Sequence, residues 1–349
     1  ALKNILFQEK LGSYYDKTQR VLTLLPKIAR ALKRDELIGD LEVAGQLFKC
    51  DLVTEMVKEF PDLQGIVGGL YARAEGYQEP IWKAIYEQYF PRSASSPCPA
   101  SDTGAILALA DRLDSVCGCF TIGLMPTGSG DPFALRRQAN GILKIMLDRQ
   151  WSLSLDQILA WSLQTYGHEA KETVTQLKEF FGGRLKFFFE EAGFDYDCIQ
   201  AVMAAGFDDP LDTMRRLKAL QDIRHEQDFL SVSSSFKRIA NILAQAASTN
   251  GMPEESKFQH PAETELWHCY AIVRTAVETA RQAREYAAAL RSLASMREKV
   301  DEFFDKVMVM VDDPEIRTNR ILLLTCIAEL FKGIADISKI VVEKADSRS

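Results

Sequence analysis

Hydrophobic positions recur with a helical period along almost the whole chain. In residues 17–32 the apolar positions follow the i, i+3, i+4, i+7 spacing of an amphipathic helix, and they are Val21, Leu24, Leu25, Ile28, Ala29 and Leu32. The same spacing predicts helices over residues 41–60, 64–74, 79–89 and 102–120. Nothing alternates convincingly with period two, so the pattern predicts an all-α fold.

Proline and capping residues predict where some of these helices begin and end. Residues 91–99 contain three prolines and several serines, which is typical of an exposed loop. Asp131 is a good N-cap residue and Pro132 suits the first helical position. We therefore expect a helix from there to about Asp148, and another that starts at Ser154 or Asp156.

The second half of the chain also predicts helices, with several breaks. Gly182 and Gly183 predict a break, and the serines of residues 231–235 predict at most one interruption between residues 211 and 247. Residues 248–261 are predicted to form a loop. Two long helices over residues 262–311, divided near residues 293–295, and a last helix over residues 316–342 complete the prediction.

Composition excludes some classes of protein and leaves others open. The chain has 349 residues, of which 47% are hydrophobic and 26% charged, as in an ordinary soluble protein. No apolar run approaches the ~20 residues of a membrane span, and no secretory leader opens the chain, so we expect a cytoplasmic protein without a membrane partner. The net charge of −7 argues against bulk affinity for nucleic acid but permits a local basic groove.

Ordered sequence blocks carry a resemblance to a known family. The blocks are F-Q-E-K-L-G-S at residues 7–13, K-C-D-L-V-T-E-M-V-K-E-F at 49–60, L-Q-G-I-V-G at 63–68, A-D-R-L-D at 110–114 and P-T-G-S-G-D-P-F-A-L-R-R at 126–137. F-F-D-K-V-M-V-M at 303–310 and R-T-N-R-I-L-L-L at 317–324 form a terminal block. Together they resemble the C-terminal half of the glycyl-tRNA synthetase beta subunit of the bacterial alpha–beta type.

The resemblance implies that the first part is similar to an HD-type phosphohydrolase domain. Such an enzyme needs histidine and aspartate ligands around a divalent metal ion. Asp51, Asp111 and Asp114 stand at the degenerate HD positions, but Cys50 precedes Asp51 where a histidine would stand. All four histidines lie beyond residue 150. We therefore expect structural carboxylates that cap helices and pair with Arg112 or Lys49, and no catalytic residue or metal site.

Basic residues near two helix starts are candidate tRNA contacts. Arg136 and Arg137 follow the Asp131–Pro132 cap, where a helix N-terminus can bind a backbone phosphate; the alternative is a salt bridge to a neighbouring helix. Arg317, Asn319 and Arg320 begin the last helix, where donors can reach unstacked bases and phosphates. Packing of these helix-end groups at an interdomain seam is the alternative.

Four arginines in the last third recur at intervals of 7, 3 and 7, which would place them within about a 100° arc of one helix. They are Arg274, Arg281, Arg284 and Arg291. Glu278 and Glu285 each lie four residues after an arginine of this set. This spacing favours ordinary i, i+4 ion pairs over a nucleic-acid-binding stripe.

These observations predict three parts: a degenerate HD-like helical domain (1–150), a helical linking region (151–225) and a helical-bundle anticodon-binding domain (226–349). The resemblance implies the tRNA-binding part of a glycine–tRNA ligase, which positions glycine tRNA for ATP-dependent aminoacylation at an alpha subunit, in a heterotetramer or a fused chain. The resemblance also implies that ATP and Mg bind at the alpha partner and that no cofactor binds here. The absence of an H-I-G-H or K-M-S-K-S segment fits this implication. The alternative is a metal-dependent HD-type nucleotide phosphohydrolase.

Overall fold

The computed structural model describes residues 1–128, 130–168, 170–246 and 251–341. Over these residues the chain is α-helical almost throughout, which confirms the predicted fold class. The chain folds as two compact units. Unit 1 comprises Ala1–Phe188 with Asp208–Leu211, and unit 2 comprises Phe189–Phe207 with Asp212–Ser349. The division into three parts at residues 150 and 225 stays a prediction, as does the HD-like character of the first part.

Unit 1 opens with a short antiparallel hairpin, β1 (Leu6–Gln8) and β2 (Gly12–Ser13). The helices that follow are α1 (Tyr14–Ala31), α2 (Ile38–Leu47), α3 (Glu55–Glu59), α4 (Ile66–Ala74), α5 (Glu79–Glu87), α6 (Asp102–Thr121), α7 (Leu135–Asp148) and α8 (Leu155–Thr165). The boundary between the units falls within α9 (Lys171–Glu191).

Unit 2 contains the remaining helices. They are α10 (Tyr196–Ala204), α11 (Pro210–Ile223), whose first two residues belong to unit 1, α12 (Gln227–Gln245), α13 (Pro261–Gln282), α14 (Tyr286–Ala294), α15 (Arg297–Lys306) and α16 (Pro314–Glu329). Short 3-10 turns at Glu255–Lys257 and Ile337–Lys339 lie between or after them. None of the helices in the described ranges is long and apolar enough to cross a membrane.

Helix α6 forms the centre of unit 1. Every residue from 103 to 120 is buried, because α1, α2, α5, α7 and α8 pack around it. A helix that is covered on all sides is usually apolar all round. Helix α6 nevertheless carries Asp111, Arg112, Asp114 and Ser115 in its buried middle. Buried polar groups require partners, so the neighbouring helices must supply them.

Helix α1 supplies one of these partners from its first turns. Ser13 and Asp16 form a capping box, in which the Ser13 hydroxyl accepts from the Asp16 backbone N–H and the Asp16 carboxylate accepts from the Ser13 N–H. The face that begins at Lys17 and continues through Val21 and Leu24 is buried. This face lies against α6, so the Lys17 side chain enters the core of unit 1.

Two predicted helices of unit 1 differ from the structure. The single helix over residues 41–60 is wrong: α2 ends at Leu47, a 3-10 turn follows, and the Thr54 hydroxyl caps the new helix α3. Helix α7 starts at Leu135 rather than at Pro132. Asp131 still caps it, because its carboxylate accepts from the backbone N–H groups of Leu135 (2.7 Å) and Arg136 (3.0 Å).

The predicted break at Gly182 and Gly183 is wrong, because α9 continues through both. Buried side chains recur along one face of this helix at Leu177, Phe181, Leu185 and Phe189. Two interior glycines cost about 1 kcal/mol each relative to alanine. Burying large apolar side chains contributes about 1.5–3 kcal/mol each, which outweighs that cost.

Several breaks in the second half fall at positions other than those predicted. The interruption expected at residues 231–235 lies at 224–226 instead, since Ser231, Ser233 and Ser235 bond back to carbonyls four residues earlier and stay helical. Residues 262–311 contain three helices rather than two. The last helix ends at Glu329, not near residue 342. Residues 248–250 of the predicted loop and residue 342 lie outside the described residues.

Candidate functional site

The buried aspartates of α6 are held by lysines, a group we call the lysine–aspartate cluster (Lys17, Lys49, Asp111 and Asp114). Lys17 Nζ lies 2.9 Å from Asp111 Oδ1 and 3.1 Å from Asp114 Oδ2. It also donates to Ser115 Oγ at 2.8 Å and to the Asp111 carbonyl at 2.9 Å. One ammonium group thus joins both buried carboxylates of α6 to α1.

Lys49 supplies the second cation of the cluster, from the turn after α2. Its Nζ donates to Asp111 Oδ2 at 3.0 Å, to the Tyr89 hydroxyl at 2.8 Å and to Gln88 Oε1 at 2.9 Å. These three acceptors use all three protons of the ammonium group. Asp111 therefore lies between two lysines, one on each oxygen.

Asp114 is enclosed by further donors. Arg20 Nε donates to its Oδ1 at 2.6 Å, and the Tyr166 hydroxyl donates to the same oxygen at 2.8 Å. The carboxylate is fully buried. Burial and the adjacent Asp114 charge raise the pKa of Tyr166 far above its usual value, so this hydroxyl keeps its proton and acts as a donor.

The two lysines determine the ionisation of Asp111. Burial alone would raise the pKa of this carboxyl, but the charges of Lys17 and Lys49 outweigh burial and hold the pKa well below its usual range. For the neighbouring Tyr89, burial and the charge of Asp111 both raise the pKa of the phenol. Asp111 is therefore ionised and Tyr89 protonated at neutral pH.

Asp51 occupies a different environment beside the cluster. Its Oδ2 accepts the backbone N–H of Gly65 at 2.6 Å, and Oδ1 is buried without a hydrogen-bond donor among the described residues. Burial raises the pKa of Asp51, although Lys49 and backbone N–H groups partly offset this. A Cβ atom at Gly68 would lie 3.1 Å from this carboxylate, which explains why a glycine suits that position. Asp51 thus fastens the turn after α2 to the start of α4.

Asp111 and Asp114, two of the three residues predicted at HD positions, do not suit a divalent metal ion. Both oxygens of Asp111 already lie against ammonium groups, and Asp114 accepts from Lys17, Arg20 and Tyr166. A cation brought to these carboxylates would meet two positive charges rather than two imidazoles. Within the described residues, no group of three or more His, Cys, Asp or Glu side chains is arranged to hold a metal ion.

The sequence predicted part of this arrangement. The predicted pairing of one of the three aspartates with Lys49 is confirmed for Asp111. Arg112 instead donates to the carbonyls of Gln88 (3.1 Å), Ala108 (2.9 Å) and Pro91 (3.2 Å). Lys17 was missed. Its position in the sequence could have indicated this role, because it lies four residues before Val21 on the apolar face of α1. A lysine on such a face needs a buried acceptor.

A pocket of about 440 Å³ adjoins the cluster, and we call it the basic pocket. Its cationic lining residues are Lys17, Lys49, Arg92, Arg112 and Arg137. Its acidic lining residues are Asp62 and Asp111, and its aromatic ones are Phe7, Tyr14, Tyr89 and Phe133. Five positive and two negative groups leave a formal surplus of three positive charges at this pocket.

The two predicted arginines of α7 lie in different places. Arg136 donates to the carbonyl of Gly128 at 2.8 Å and lies close enough to Arg184 to help lower the pKa of Arg184, after burial. Arg137 is exposed at the basic pocket and has neither a hydrogen bond nor an ion pair with any described residue. Ser129, in the same motif, lies outside the described residues. Neither arginine forms the alternative salt bridge within the described part of the chain.

The candidate residues of α16 lie in unit 2 and are mostly buried. Arg320 Nε donates to Glu263 Oε1 at 2.9 Å, and its Nη1 donates to the carbonyl of Met308 at 2.9 Å. Asn319 accepts from the backbone N–H of Glu254 (2.7 Å) and donates to the Glu254 carbonyl (3.0 Å). Arg317 is partly exposed and donates to the Val311 carbonyl at 3.1 Å. Of the three, Arg317 is the most accessible.

The four arginines with 7, 3 and 7 spacing do not share one helix, so that prediction is wrong. Arg284 lies in the turn between α13 and α14 with φ of 58°, and Arg291 belongs to α14. The predicted pair of Arg274 with Glu278 is confirmed at 3.0 Å. Arg291 pairs with Glu226 at 3.0 Å. These exposed pairs are typical of a solvated surface.

The fold and the site define an all-α protein whose buried carboxylates serve as structural ion-pair partners and whose accessible basic groups suit the binding of an anion. The family model described as glycyl-tRNA synthetase beta subunit matches residues 1–204. The model described as DALR anticodon binding domain matches residues 232–342. The chain belongs to the glycyl-tRNA synthetase beta subunit family.

Similar proteins come from several bacteria. The chain is 42% identical over 343 residues to the glycine–tRNA ligase beta subunit of Desulforudis audaxviator and 41% identical over 353 residues to that of Acidobacterium capsulatum. Each alignment covers 97% of this chain and 50% of the relative. The chain thus spans about half the length of the curated relatives it matches. Its placement in their C-terminal half stays a prediction.

Proposed function

We propose that this chain is the tRNA-binding part of a glycine–tRNA ligase. The observation that carries the proposal is the match of residues 232–342 to an anticodon binding domain, in a chain of the glycyl-tRNA synthetase beta subunit family. The chain would hold glycine tRNA in the cytoplasm for ATP-dependent aminoacylation at an alpha subunit, in a heterotetramer or a fused chain. ATP and Mg would bind at that alpha part.

The start of α16 is the proposed contact with the anticodon. Asn319 holds the loop that contains Glu254 through two hydrogen bonds, and Arg320 holds the loop that contains Met308. Adjacent residues of one helix thus fix two loops. We assign Asn319 and Arg320 a positioning role, since both are buried, and Arg317 the direct contact.

The loop before α16 has a composition that suits unstacked bases. Met308 and Met310 expose 74% and 52% of their surface, which is unusual for apolar side chains. Methionine adapts its shape to varied partners, and a guanidinium plane can stack on a base or bind a phosphate. Arg317 donates to the carbonyl of Val311, so its guanidinium lies at the same loop as the two methionines.

In unit 1, Arg136 is the proposed contact with the tRNA backbone. After burial, the charge of Arg136 helps to lower the pKa of Arg184, and the charge of Asp131 partly offsets this effect. Two neighbouring guanidinium groups repel each other in the free protein, so a phosphate between them relieves repulsion as well as forming ion pairs. Contacts on both units would orient the tRNA, and orientation is what converts binding energy into rate at a distant reaction centre.

The test is binding of glycine tRNA and of a non-cognate tRNA to the chain over a salt series. We expect glycine tRNA to bind more tightly, and Arg317→Ala to weaken it about tenfold. Arg136→Ala should weaken both tRNAs and reduce the salt dependence by about one charge. Arg274→Ala is the matched control, because Arg274 is exposed and its pair with Glu278 lies within α13.

Equal, weak binding of both tRNAs would overturn the proposal. Unchanged affinity in Arg317→Ala would overturn the assignment of the anticodon contact alone. The same variants in the complete beta subunit with its alpha partner, measured by aminoacylation, should raise the KM for tRNA more than they lower kcat, because the contacts lie away from the reacting atoms.

A further inference from the structure

We propose that the basic pocket of unit 1 binds a free nucleoside monophosphate. The proposal goes beyond tRNA binding, because the pocket is a separate cavity with its own lining. Its volume of about 440 Å³ lies within the range of small-molecule sites. A lone phosphate would leave most of that volume empty, whereas a mononucleotide would fill it.

The charge of the pocket favours a dianion. Lys17, Lys49 and Arg112 lie at its inner side and are all buried, where charges are screened less than at the surface. Of the residues that line the pocket, Asp111 opposes them at this inner side, and its charge is shared between the two lysines. Asp114, which does not line the pocket, also pairs with Lys17. A phosphomonoester carries close to two negative charges at neutral pH. Such a group balances most of the formal surplus of three.

The hydrogen bonds come from the rim rather than from the lysines. Lys49 has no proton left after its three acceptors, and Lys17 is likewise saturated. Each terminal nitrogen of Arg92 donates one hydrogen bond, Nη1 to the carbonyl of Asp62 and Nη2 to that of Gln64. Its other N–H groups remain available to a ligand. Arg137 donates no hydrogen bond to any described residue. These two guanidinium groups are the phosphate donors.

The aromatic lining supplies a place for a planar ring. Phe7 and Tyr14 meet edge to face with centroids 5.5 Å apart, and Phe133 lines the same pocket. All three rings are partly exposed, so a base can stack on one of them without displacing the core. Gln64 and Gln138 add amide groups that can bond to base edges. A phosphate group and a base are therefore both accommodated.

Buried Asp111 takes part through its charge and not as an acceptor for the ligand. Its Oδ1 lies 2.9 Å from Lys17 Nζ but outside hydrogen-bond geometry, and no described residue donates to it. This oxygen has almost no accessible surface, so a ligand in the pocket does not reach it. The cluster would then bind a nucleotide without cleaving it, since its carboxylates are already occupied by lysines.

The test is calorimetric titration of the full 349-residue chain with AMP, adenosine, inorganic phosphate and a single-stranded RNA trinucleotide. We expect AMP to bind at least about tenfold more tightly than adenosine or phosphate, because only AMP engages both ends of the pocket. Arg137→Gln should weaken AMP about tenfold and leave adenosine unchanged. Arg92→Gln together with Arg137→Gln should weaken AMP about a hundredfold.

Arg30→Gln is the matched control, because Arg30 is an exposed arginine of α1 outside the pocket, and it should change AMP affinity less than twofold. Circular dichroism would check that these surface variants keep the fold. Equal affinity for AMP and adenosine, or AMP affinity unaffected by both rim variants, would overturn the proposal. Tighter binding of the trinucleotide than of AMP would also overturn it and assign the pocket to an RNA chain.

Discussion

The two units bury ionic groups in different ways. In unit 2, Glu263 and Arg320 form a neutral pair, and the remaining donors and acceptors of the pair are used within the unit: Glu263 Oε2 accepts from the N–H groups of Gln259 and His260, both at 2.8 Å. In unit 1, three cations (Lys17, Arg20 and Lys49) face two carboxylates (Asp111 and Asp114), and a pocket adjoins them.

The difference separates a structural clamp from a binding surface. The pair of Glu263 and Arg320 has no net charge, and backbone groups of unit 2 complete its hydrogen bonds. The pair therefore fixes α13 to α16 and has no excess charge to attract a ligand. The lysine–aspartate cluster taken together with Arg20 has one cation in excess. It holds α1 and the turn after α2 to α6, and its excess positive charge also favours an anion in the adjoining pocket. Burial of charge by itself therefore does not distinguish the two roles; the balance of charge and access to a cavity does.

The largest expected effect comes from breaking the clamp of unit 2. Arg320→Ala leaves Glu263 buried without its cation, and breaking one partner of a buried pair costs about 3–5 kcal/mol. Hydrogen exchange of the amides in α13 and α16 would measure the loss. Arg274→Ala, which removes an exposed pair, should cost no more than about 0.5 kcal/mol. Equal losses in the two variants would contradict the clamp.

Removing one lysine of the cluster should have a smaller effect. In Lys49→Met, Asp111 keeps Lys17 as a partner, while Tyr89 and Gln88 lose an ammonium donor. We expect a loss of about 1–3 kcal/mol in the free energy of unfolding, measured by urea denaturation. Lys58→Met is a control, since Lys58 pairs only at the exposed surface with Glu55. A loss as large as that in Arg320→Ala would remove the distinction between the two regions.

Acid should weaken both regions through carboxylates with a lowered pKa. For Asp111 and Glu263, burial favours the neutral form, but the lysines in one case and Arg320 with backbone N–H groups in the other lower the pKa. A lowered pKa in the folded state means that protonation favours unfolding, so the stabilisation is present above the ordinary values of 3.8 and 4.5 and is lost below them.

Urea denaturation between pH 6 and pH 2.5 would measure this dependence. We expect the free energy of unfolding to fall as pH decreases below about 4.5, first through Glu263 and then through Asp111. Asp111→Asn should flatten the lower part of the curve, because its side chain has no proton to gain. An unchanged slope in that variant would show that Asp111 does not contribute.

The smallest expected effect is that of divalent metal ions. Because ammonium groups already lie against the α6 carboxylates, Mn²⁺ or Mg²⁺ should shift the melting temperature by less than the measurement error and should support no turnover of a nucleotide phosphate. Robust hydrolysis that is abolished by Asp51→Ala would instead establish the phosphohydrolase alternative.

The sequence predicted the fold class because helical periodicity is a local property. The spacing of apolar residues within one segment shows that the segment is a helix with one buried face. It predicted that one of the three aspartates pairs with Arg112 or Lys49, and Lys49 is a partner of Asp111. It missed Lys17, whose partners are more than 90 residues away along the chain. Spacing along a helix shows which face is buried, but it does not identify the hydrogen-bond acceptor that a distant helix supplies to a lysine on that face.

The predicted breaks failed for a related reason. Gly182 and Gly183 weaken a helix locally, but contacts made by Phe181 and Leu185 with the rest of the structure decide the outcome. Arg320 looked accessible because it begins a helix in a basic motif, and its partner Glu263 lies 57 residues away. That the four arginines and one asparagine at these two helix starts touch tRNA stays a prediction. They are Arg136, Arg137, Arg317, Asn319 and Arg320.

The burial of α6 on every side has a consequence for how this protein can vary in length. Inserting one residue within α6 would rotate everything beyond it by about 100° relative to the preceding turns. An insertion before Leu113 would place Leu113 at the position of Asp114, so an apolar group would lie against the Lys17 ammonium ion, and Asp114 would move to the position of Ser115. We therefore expect the protein to tolerate insertions and deletions in the exposed loop of residues 91–99 but not within α6. The length of α6 is fixed by the side chains that surround it.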